Sequence, residues 1–407
     1  MHLIYQLGIY LFGWMLQLAA LFNPRAARLV QGRKGQLKKI KNEFAGKDNV
    51  VWVHCASLGE FEQGRPLIEE IRRHDSTLKI LLTFYSPSGY EVRKNYSGVD
   101  YVAYLPLDTR RNARRFVKLV NPGKVFFVKY EYWYNYLSVL KKHEIPVYFV
   151  SAIFRKEQLF FKPHGKWYRK LLKLATHFFV QNEASAQLLE QIGVQNYTIA
   201  GDTRFDRVAR LVESASPIEL LEEFINGEKL IVVGSSWKAE EAMIRQFVRK
   251  NTSVKVVLAP HEVNDSNIER IMKLFEGIAV RYSQATSNNV SDKQVLVIDC
   301  YGMLNSLYQY AYLAIIGGGF GVGIHNTLEA ACYGMPVIFG PNYERFREAV
   351  ALVEKNCAFP VSNIEDFNTV LNHLLKSEDT TRKISENAAA YVKANIGASD
   401  KILKTVF

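Results

Sequence analysis

Short apolar runs alternate with amphipathic stretches along most of this chain. Six runs read as strands that are hydrophobic on both faces, at residues 50–56, 78–84, 124–130, 146–150, 176–180 and 196–200. Helical patterns such as residues 62–73 and 112–120 separate them. Near-continuous apolar strands separated by helices indicate an α/β fold with a parallel sheet covered on both faces. Residues 23–206 are therefore predicted to form one Rossmann-like domain.

A second series of apolar runs follows at residues 229–236, 254–260, 294–300, 312–319 and 336–340. Residues 207–228 between the two series are polar and acidic, with Pro217 and Gly227, and are predicted to be an interdomain linker. Residues 229–407 are then a second Rossmann-like domain. Ligands of open parallel sheets bind beyond the carboxyl ends of the strands, so we expect the two sheets to face a central cleft that holds the active site.

The amino-terminal segment has a different character. Leu3 to Phe22 are twenty residues without a formal charge, about the length that crosses a bilayer core. Residues 1–22 are predicted to be a membrane-anchoring helix that either spans the bilayer or, because Gln6 and Gln17 interrupt it, lies in the interface. The basic residues that follow place the rest of the chain on the cytoplasmic side. No cleavage site or charged leading region favours a signal peptide, and a buried core helix is the alternative.

Charge is concentrated in two stretches. The net charge of the 407 residues is +12, while residues 23–47 carry eight Lys or Arg against one Glu and residues 155–173 carry seven against one. The rest of the chain is close to neutral, so these stretches predict contact with an anionic partner, either a lipid surface or a nucleic acid. The four cysteines are far apart, which suggests neither a zinc site nor a disulfide framework and is typical of a reducing compartment.

The segment 315–341 is rich in glycine. It begins as a strand, passes through five glycines and enters a predicted helix around residues 326–333; these glycines are Gly317, Gly318, Gly319, Gly321 and Gly323. Backbone N–H groups of such a loop, together with the start of a helix, favour an anion, so a phosphate-bearing ligand is predicted. A glycine-rich turn without a ligand is the alternative. The spacing is not that of a dinucleotide-binding motif.

Polar residues beside these glycines are further candidates. Glu329 lies three residues after Asn326 and would share its helix face, where a carboxylate either accepts hydrogen bonds from sugar hydroxyls or complements the helix dipole. His325 has either a structural role or a ligand contact. Ser235 and Ser236 end a strand ahead of a helix, where hydroxyls either cap the helix or bind phosphate.

In the first domain, two carboxylates follow strands. The run WVHCASLGE (52–60) ends a strand and places Glu60 ahead of a helix, where it can take a proton from a hydroxyl nucleophile. Helix capping by Ser57 or Glu60 is the alternative. In EYWYN (131–135), Glu131 also follows a strand and either positions the substrate or pairs with a nearby lysine.

Taken in order, these motifs resemble the Kdo transferases, GT-B-fold enzymes that attach 3-deoxy-D-manno-octulosonic acid (Kdo) to a lipid A precursor. The resemblance extends over nearly the whole chain. It is carried by WVHCASLGE (52–60), TFYSPSGY (83–90), YLPLDT (104–109), EYWYN (131–135), GDTRFD (201–206), GSSWKAEE (234–241), APHE (259–262), DCYGMLNSLY (299–308) and GIHNTLEAACYGMPVIFGP (323–341). The chain departs from the family where E-T-E-L-W-P-N reads KYEYWYN (129–135), where N-A-R-L-S reads SAIFR (151–155) and where P-R-H-P-E-R shrinks to PHE (260–262).

The resemblance implies a GT-B fold, CMP-Kdo as donor and a lipid A precursor as acceptor. Glu60 would deprotonate a primary hydroxyl of the acceptor, which attacks the anomeric carbon with inversion. Acceptor-side residues are then Ser57, Gly59 and Glu131. Donor-side residues are Ser235, Ser236, Pro260, His261, Gly302, Met303, Gly318, Gly319, Gly323, His325, Asn326 and Glu329. No carboxylate pair of the D-x-D type lies near the glycines, so neither a metal nor another cofactor is expected.

The same resemblance implies partners and a location. The apolar helix and the two basic stretches would hold the protein against the anionic cytoplasmic face of the inner membrane, with no nucleic acid as partner. One alternative is another GT-B enzyme such as a nucleotide-sugar 2-epimerase, which has no use for the apolar segment. The other is a non-enzymatic nucleic-acid-binding protein, suggested by the isoelectric point of about 9.3 but lacking an RNA-binding motif.

Overall fold

The computed structural model describes residues 1–407 as two units, each built on one parallel sheet. The first unit comprises Met1–Asp206 and Gly397–Phe407, and the second comprises Arg207–Ile396. Each sheet has seven strands with helices between them in sequence. The predicted class, two parallel α/β domains, is confirmed.

The α-helices are numbered in chain order. The first ten are α1 (His2–Ala19), α2 (Pro24–Arg33), α3 (Gln36–Phe44), α4 (Leu58–His74), α5 (Pro87–Arg93), α6 (Arg110–Val120), α7 (Tyr134–Lys142), α8 (Lys166–Leu172), α9 (Glu183–Gln191) and α10 (Arg204–Glu213). The others are α11 (Glu219–Ile225), α12 (Lys238–Val248), α13 (Asp265–Leu274), α14 (Ser287–Val290), α15 (Leu304–Tyr308), α16 (Leu328–Ala331), α17 (Arg347–Glu354), α18 (Ile364–Lys376), α19 (Glu378–Ala394) and α20 (Ala398–Val406).

The strands divide equally between the two sheets. Those of the first sheet are β1 (Val50–Cys55), β2 (Lys79–Phe84), β3 (Tyr101–Tyr104), β4 (Pro122–Val128), β5 (Val147–Ala152), β6 (His177–Val180) and β7 (Tyr197–Ile199). Those of the second are β8 (Lys229–Ser236), β9 (Val254–Pro260), β10 (Ala279–Arg281), β11 (Val295–Val297), β12 (Leu313–Ile316), β13 (Val337–Phe339) and β14 (Ala358–Pro360).

The first sheet has the strand order β3-β2-β1-β4-β5-β6-β7. Strand β1 lies inside the sheet, and its side chains therefore point alternately into two hydrophobic cores. Trp52 packs with Phe116 and Phe127 on one face, whereas Val51 and Val53 belong to the core on the other. The strand order reverses between β1 and β4, and ligands of parallel sheets bind beyond the carboxyl ends of the strands at such a point.

The second sheet has the order β10-β11-β9-β8-β12-β13-β14, which differs from the first because its fourth strand, β11, lies between β9 and β10. Its switch point lies beside β8. Strands β3, β10 and β14 were not predicted from the sequence, and each of these is an edge strand of only three or four residues. Edge strands are short and partly exposed, so the apolar run that identifies a central strand is missing.

The domain boundaries differ from the prediction at the carboxyl terminus. Residues 397–407 were expected in the second domain, but they return to the first unit. The carboxylate of Asp206 accepts hydrogen bonds from the backbone amides of Gly397 and Ser399, both over 2.6 Å. Ile402 of α20 is fully buried in the core that α4 also covers. The carboxyl-terminal segment therefore belongs to the first unit because the apolar face of α20 packs in its core.

The predicted linker also differs. Residues 207–228 belong to the second unit and contain the end of α10 and the whole of α11. Leu221 and Phe224 of α11 are fully buried. The acidic residues that suggested a linker therefore lie on the exposed side of an amphipathic helix.

Helix α1 packs on the first unit along one face. Its less exposed residues recur with helical spacing at Tyr5, Ile9, Gly13 and Leu16. A Cβ atom at Gly13 would lie 2.9 Å from the side chain of Leu107, so glycine permits the close approach here. Taken singly, none of the helices has the length and apolar character needed to cross a membrane; α1 and α2 together meet the criterion but are bent by 119°.

Candidate functional site

Ser57, Gly59 and Glu60 lie where β1 ends and α4 begins. Ser57 is the residue that precedes the helix, but its side chain makes no capping hydrogen bond. Its hydroxyl donates instead to the Oε2 atom of Glu60, which is half-buried in the first turn of α4. A Cβ atom at Gly59 would have only the Ser57 hydroxyl within 4 Å, at 3.8 Å. The structure therefore leaves space beside a carboxylate whose orientation is set by a neighbouring hydroxyl.

Glu131 follows β4, the strand that pairs with β1. The indole Nε1 of Trp133 donates to its Oε2 atom over 2.7 Å, and the Nε2 atom of His54 lies 3.4 Å from the same oxygen. His54 is fully buried, and its Nδ1 atom lies 2.8 Å from the hydroxyl oxygen of Thr83. An indole and a buried imidazole thus surround the Glu131 carboxylate, and neither residue was singled out from the sequence.

The charges of Glu60 and Glu131 both act on Cys55 at the end of β1. Burial raises the pKa of the Cys55 thiol well above its usual value, and the negative charges of Glu60 and Glu131 raise it further. Cys55 is the last residue of β1, so both carboxylates act on the same strand end. The predicted acceptor-side residues of the first unit are brought together.

Arg33 is connected to Glu131 through the stacked rings of Tyr85 and Trp133. The guanidinium of Arg33 stacks 4.6 Å above the ring of Tyr85, which stacks on Trp133 with 5.0 Å between the ring centroids. Its Nε atom donates to the backbone oxygen of Leu105 over 2.9 Å, and burial lowers its pKa. From the sequence, Arg33 was expected only as one of the basic residues that face an anionic surface. Its contacts are with residues distant in sequence, so only the fold identifies it.

The predicted donor-side residues lie at one edge of the second sheet. Strands β11, β9, β8 and β12 are neighbours and run parallel, so their carboxyl ends meet at one edge. The polar and glycine residues of the prediction follow these four strands, namely Gly302 and Met303 after β11, Pro260 and His261 at the end of β9, Ser235 and Ser236 at the end of β8, and the glycine-rich segment after β12.

Three rings stack at this edge. The centroid of His261 lies 4.8 Å from that of Trp237 and 4.3 Å from that of His325. The indole Nε1 of Trp237 donates to Nε2 of His325 over 3.1 Å, which leaves the proton of the neutral imidazole on Nδ1. Burial, and then the neighbouring His261, lowers the pKa of His325 to about 4. His325 is therefore neutral at pH 7 and offers a flat ring and one N–H donor.

The backbone amides of the glycine-rich segment already have partners inside the protein. The N–H of Gly318 donates to Oε1 of Glu240 over 2.9 Å, and those of Gly321 and Gly323 donate to the oxygen of Gly318 over 3.0 and 3.2 Å. A phosphate bound by the Gly318 and Gly323 amides would have to replace these acceptors, and phosphate binding by this segment stays a prediction.

Gly319 has a packing role. A Cβ atom there would lie 2.4 Å from the backbone nitrogen of Gly340, so only glycine fits where the ends of β12 and β13 approach each other. The high glycine content of this segment therefore reflects close backbone contacts as well as any ligand role of the remaining amides.

The predicted helix over residues 326–333 is much shorter. Helix α16 has four residues, Leu328–Ala331. Asn326 lies outside it; its side-chain nitrogen donates to Oε1 of Glu329 over 3.0 Å, and its Oδ1 accepts from the amide of Leu328 over 3.1 Å. A helix this short has only a small dipole, so the predicted dipole role of Glu329 has little physical basis. The Asn326 amide instead fixes the carboxylate.

A cavity of about 530 Å³ opens beside the start of α12. Its lining is rich in charged side chains and includes Trp237, Lys238, Glu240, Glu241, Glu262, Arg270, Gly318 and Gly321. Glu241 is fully buried, pairs with Arg270 over 2.6 Å and accepts from the Ser236 hydroxyl over 3.1 Å. The chain contains no group of three or more His, Cys, Asp or Glu side chains that could hold a metal ion.

Two parallel seven-stranded sheets, each with polar side chains at its switch point, are the architecture of a GT-B-type fold. The family model of the 3-deoxy-D-manno-octulosonic-acid transferases (kdotransferases) matches residues 28–207. The chain is similar to this family over these residues, in agreement with the resemblance of its motifs.

Relatives support the assignment along most of the chain. The chain is 29% identical to the 3-deoxy-D-manno-octulosonic acid transferase of Aquifex aeolicus (strain VF5), over 84% of this chain and 93% of the relative. It is 24% identical to that of Rickettsia bellii (strain RML369-C), over 98% of each chain. Among solved structures, UDP-GlcNAc 2-epimerase from Neisseria meningitidis bound to UDP-GlcNAc is similar with a TM-score of 0.61 and 17% identity, over 88% of this chain and 99% of that one. This last similarity shows the fold alone.

Proposed function

We propose that this protein transfers Kdo from CMP-Kdo to a primary hydroxyl of a lipid A precursor, with inversion, in lipopolysaccharide biosynthesis. Similarity to the Kdo transferases supports the reaction class. The observation that carries the chemistry is the Glu60 carboxylate at the carboxyl end of β1, oriented by the Ser57 hydroxyl and adjacent to open space at Gly59. A general base needs these features, a fixed carboxylate and room for the hydroxyl that it deprotonates.

In the first step Glu60 accepts the proton of the acceptor hydroxyl as its oxygen attacks the anomeric carbon of Kdo. The bond to the phosphate oxygen of CMP breaks on the opposite side, which inverts the configuration. Glu131, held by Trp133 and His54, orients the acceptor through its second carboxylate oxygen. Holding both reactants in place provides a large share of the rate acceleration in such a displacement.

The second unit binds the donor. The stacked rings of Trp237, His261 and His325 present flat surfaces to a pyrimidine or sugar, and Asn326 and Glu329 offer partners for hydroxyl groups. Lys238 is exposed at the cavity and supplies positive charge for the departing CMP phosphate. We propose no metal ion for this step, on the ground that the sequence has no D-x-D carboxylate pair near the loop.

We propose that α1 holds the protein at the cytoplasmic face of the inner membrane. This helix uses one face to pack on the first unit and exposes large apolar side chains on the other faces; Leu3, Leu7 and Trp14 are 75%, 70% and 61% exposed. A helix already packed on protein along its length fits a position in the bilayer interface better than a span. The exposed apolar side chains of α1 support contact with the lipid that carries the acceptor hydroxyl.

A basic surface adjoins this helix. Helix α6 begins two residues after Asp108 and packs against α3, and Leu107 and Asp108 both contact α1. Its exposed side chains include five basic residues and no acid, namely Arg110, Arg111, Arg114, Arg115 and Lys118. Helix α6 was not among the basic stretches predicted from the sequence. These charges favour an anionic leaflet beside the apolar face of α1.

The test of this function is a product assay. Purified full-length protein in detergent is incubated with CMP-Kdo, generated in the same reaction, and with a tetra-acylated lipid A precursor, and the lipid is analysed by mass spectrometry. We expect a product heavier by Kdo. Absence of that product, or conversion of UDP-GlcNAc by the same preparation, would overturn the proposal in favour of another GT-B reaction.

A further inference from the structure

The amino terminus of α7 is capped by residues far away in sequence. The preceding residue, Trp133, gives no side-chain cap. The first three amides of the helix instead donate to α1 and to the segment before α6. The amide of Tyr134 donates to the hydroxyl of Tyr5 over 3.3 Å, and those of Asn135 and Tyr136 donate to the carboxylate of Asp108 over 3.0 and 2.9 Å. Such amides have no partner within their own helix, so this external cap holds the first turn in place.

Tyr5 connects the two parts of this cap. Its hydroxyl donates to Oδ2 of Asp108 and accepts from the amide of Tyr134. Its ring packs edge-to-face on the ring of Tyr134, with 5.6 Å between centroids. Asp108 is 1% exposed, so a competing water has little access to these hydrogen bonds. One side chain of the apolar helix is therefore part of the buried polar contact that fixes the start of α7.

The start of α7 leads directly to the acceptor-side carboxylate. Trp133 precedes Tyr134 and its indole nitrogen donates to Glu131. The backbone amide of Trp133 also donates to the oxygen of Glu131, over 3.1 Å. A shift of the first turn of α7 therefore moves the group that orients Glu131.

We propose that Tyr5 is a positioning residue for Glu131, and that α1 forms part of the acceptor-side site in addition to its contact with lipid. This inference rests on the proposed function, in which Glu131 orients the acceptor. If α1 served only to bind the membrane, a change at Tyr5 would not affect the acceptor site in detergent, where no membrane is present. A positioning role predicts such an effect.

The experiment compares Tyr5→Phe with Tyr10→Phe in the full-length protein in detergent micelles. Tyr10 lies on the same helix, is 57% exposed and makes none of these contacts, so it is the matched control. Steady-state kinetics give the KM for the lipid acceptor and for CMP-Kdo separately. Hydrogen exchange follows the amides of residues 134–136, and thermal unfolding measures stability.

For Tyr5→Phe we expect the acceptor KM to rise about five-fold, the factor that corresponds to one lost hydrogen bond, while the KM for CMP-Kdo stays the same. The amides of residues 134–136 should exchange faster than in Tyr10→Phe. An unchanged acceptor KM, even with a lower melting temperature, would overturn the inference, as would equal effects in both variants. If the wild-type protein transfers no Kdo, the proposed function fails, whereas unchanged exchange in Tyr5→Phe removes the positioning role alone.

Discussion

The backbone amide of Gly318 donates a hydrogen bond to the carboxylate of Glu240 over 2.9 Å, although the two residues are 78 positions apart. The second oxygen of the same carboxylate accepts from the amide of Trp237 over 3.1 Å. One side chain thus joins the glycine-rich loop after β12 to the start of α12. Burial raises the pKa of Glu240, while these backbone hydrogen bonds oppose the shift. The loop is therefore held by the protein itself.

Replacing Glu240 with Ala should destabilise the second unit. The change leaves two amides, those of Gly318 and Trp237, without their acceptor, and each buried unsatisfied group costs about 1–3 kcal/mol. Glu240→Gln keeps one acceptor oxygen and should lose less. Urea denaturation measures the free energy of unfolding, with the exposed Glu276→Ala as control. Equal stability of Glu240→Ala and Glu276→Ala would show that the loop does not depend on this carboxylate.

Glu60→Gln should retain donor binding but lose catalysis. The amide keeps the shape of the side chain and cannot accept the proton, so we expect transfer to fall by about two or more orders of magnitude. CMP-Kdo affinity, measured by equilibrium binding, should change little because Glu60 lies on the acceptor side. Glu43→Gln, an exposed position on α3, is the control. A Glu60→Gln enzyme with most of its activity would remove this carboxylate from the mechanism.

The basic surface of α6 should contribute to membrane binding. Arg114 and Arg115 are both exposed, and each basic residue near an anionic leaflet is worth about 1 kcal/mol. The double change to Ala should weaken binding to phosphatidylglycerol-containing vesicles about 10- to 30-fold, and the difference should shrink at high salt because the interaction is screened. The control changes two exposed basic residues of the second unit, Arg249 and Lys250. Vesicle sedimentation measures the binding; equal loss in both double variants would contradict a specific role of α6.

The Asp108 carboxyl should make stability depend on pH. Burial raises its pKa from 3.8 to about 6, against the lowering effect of its hydrogen bonds from Tyr5 and from two backbone amides. Between pH 4 and 6 the unfolded chain has lost this proton and the folded protein has kept it, so stability falls as the pH rises through this window. The stabilising contribution is fully present below about pH 4 and is lost above about pH 6.

Asp108→Asn should remove this dependence. The stability difference between wild type and variant is expected to change by about 3 kcal/mol between pH 4 and 6, in favour of the variant at the higher pH, and to stay constant above that. Urea denaturation of the full-length protein in detergent at several pH values measures it. A difference that is the same at every pH would mean that Asp108 ionises normally in the folded protein.

Much of the fold and part of the site could be predicted from the sequence. The central strands are buried on both faces, so their apolar runs are visible without coordinates, as in β1 and β8. Residues that follow such strands, including Glu60, Glu131 and His261, meet at the carboxyl edges because parallel strands all end on the same side. The short edge strands and the four-residue helix α16 have too few residues to produce a periodic pattern.

The sequence by itself determined the central strands and their alternation with helices, the two-domain class and the residues at the strand ends, since hydrophobic periodicity records which side of each element is buried. Only the tertiary structure decided which distant groups meet. Tyr5 reaches Asp108 across 103 positions, Glu240 takes the Gly318 amide, and Asp206 holds the returning carboxyl-terminal segment. The sequence contains no periodic pattern that indicates which distant group a polar side chain will contact. Such contacts form only when the packing of helices and sheets brings the two groups together.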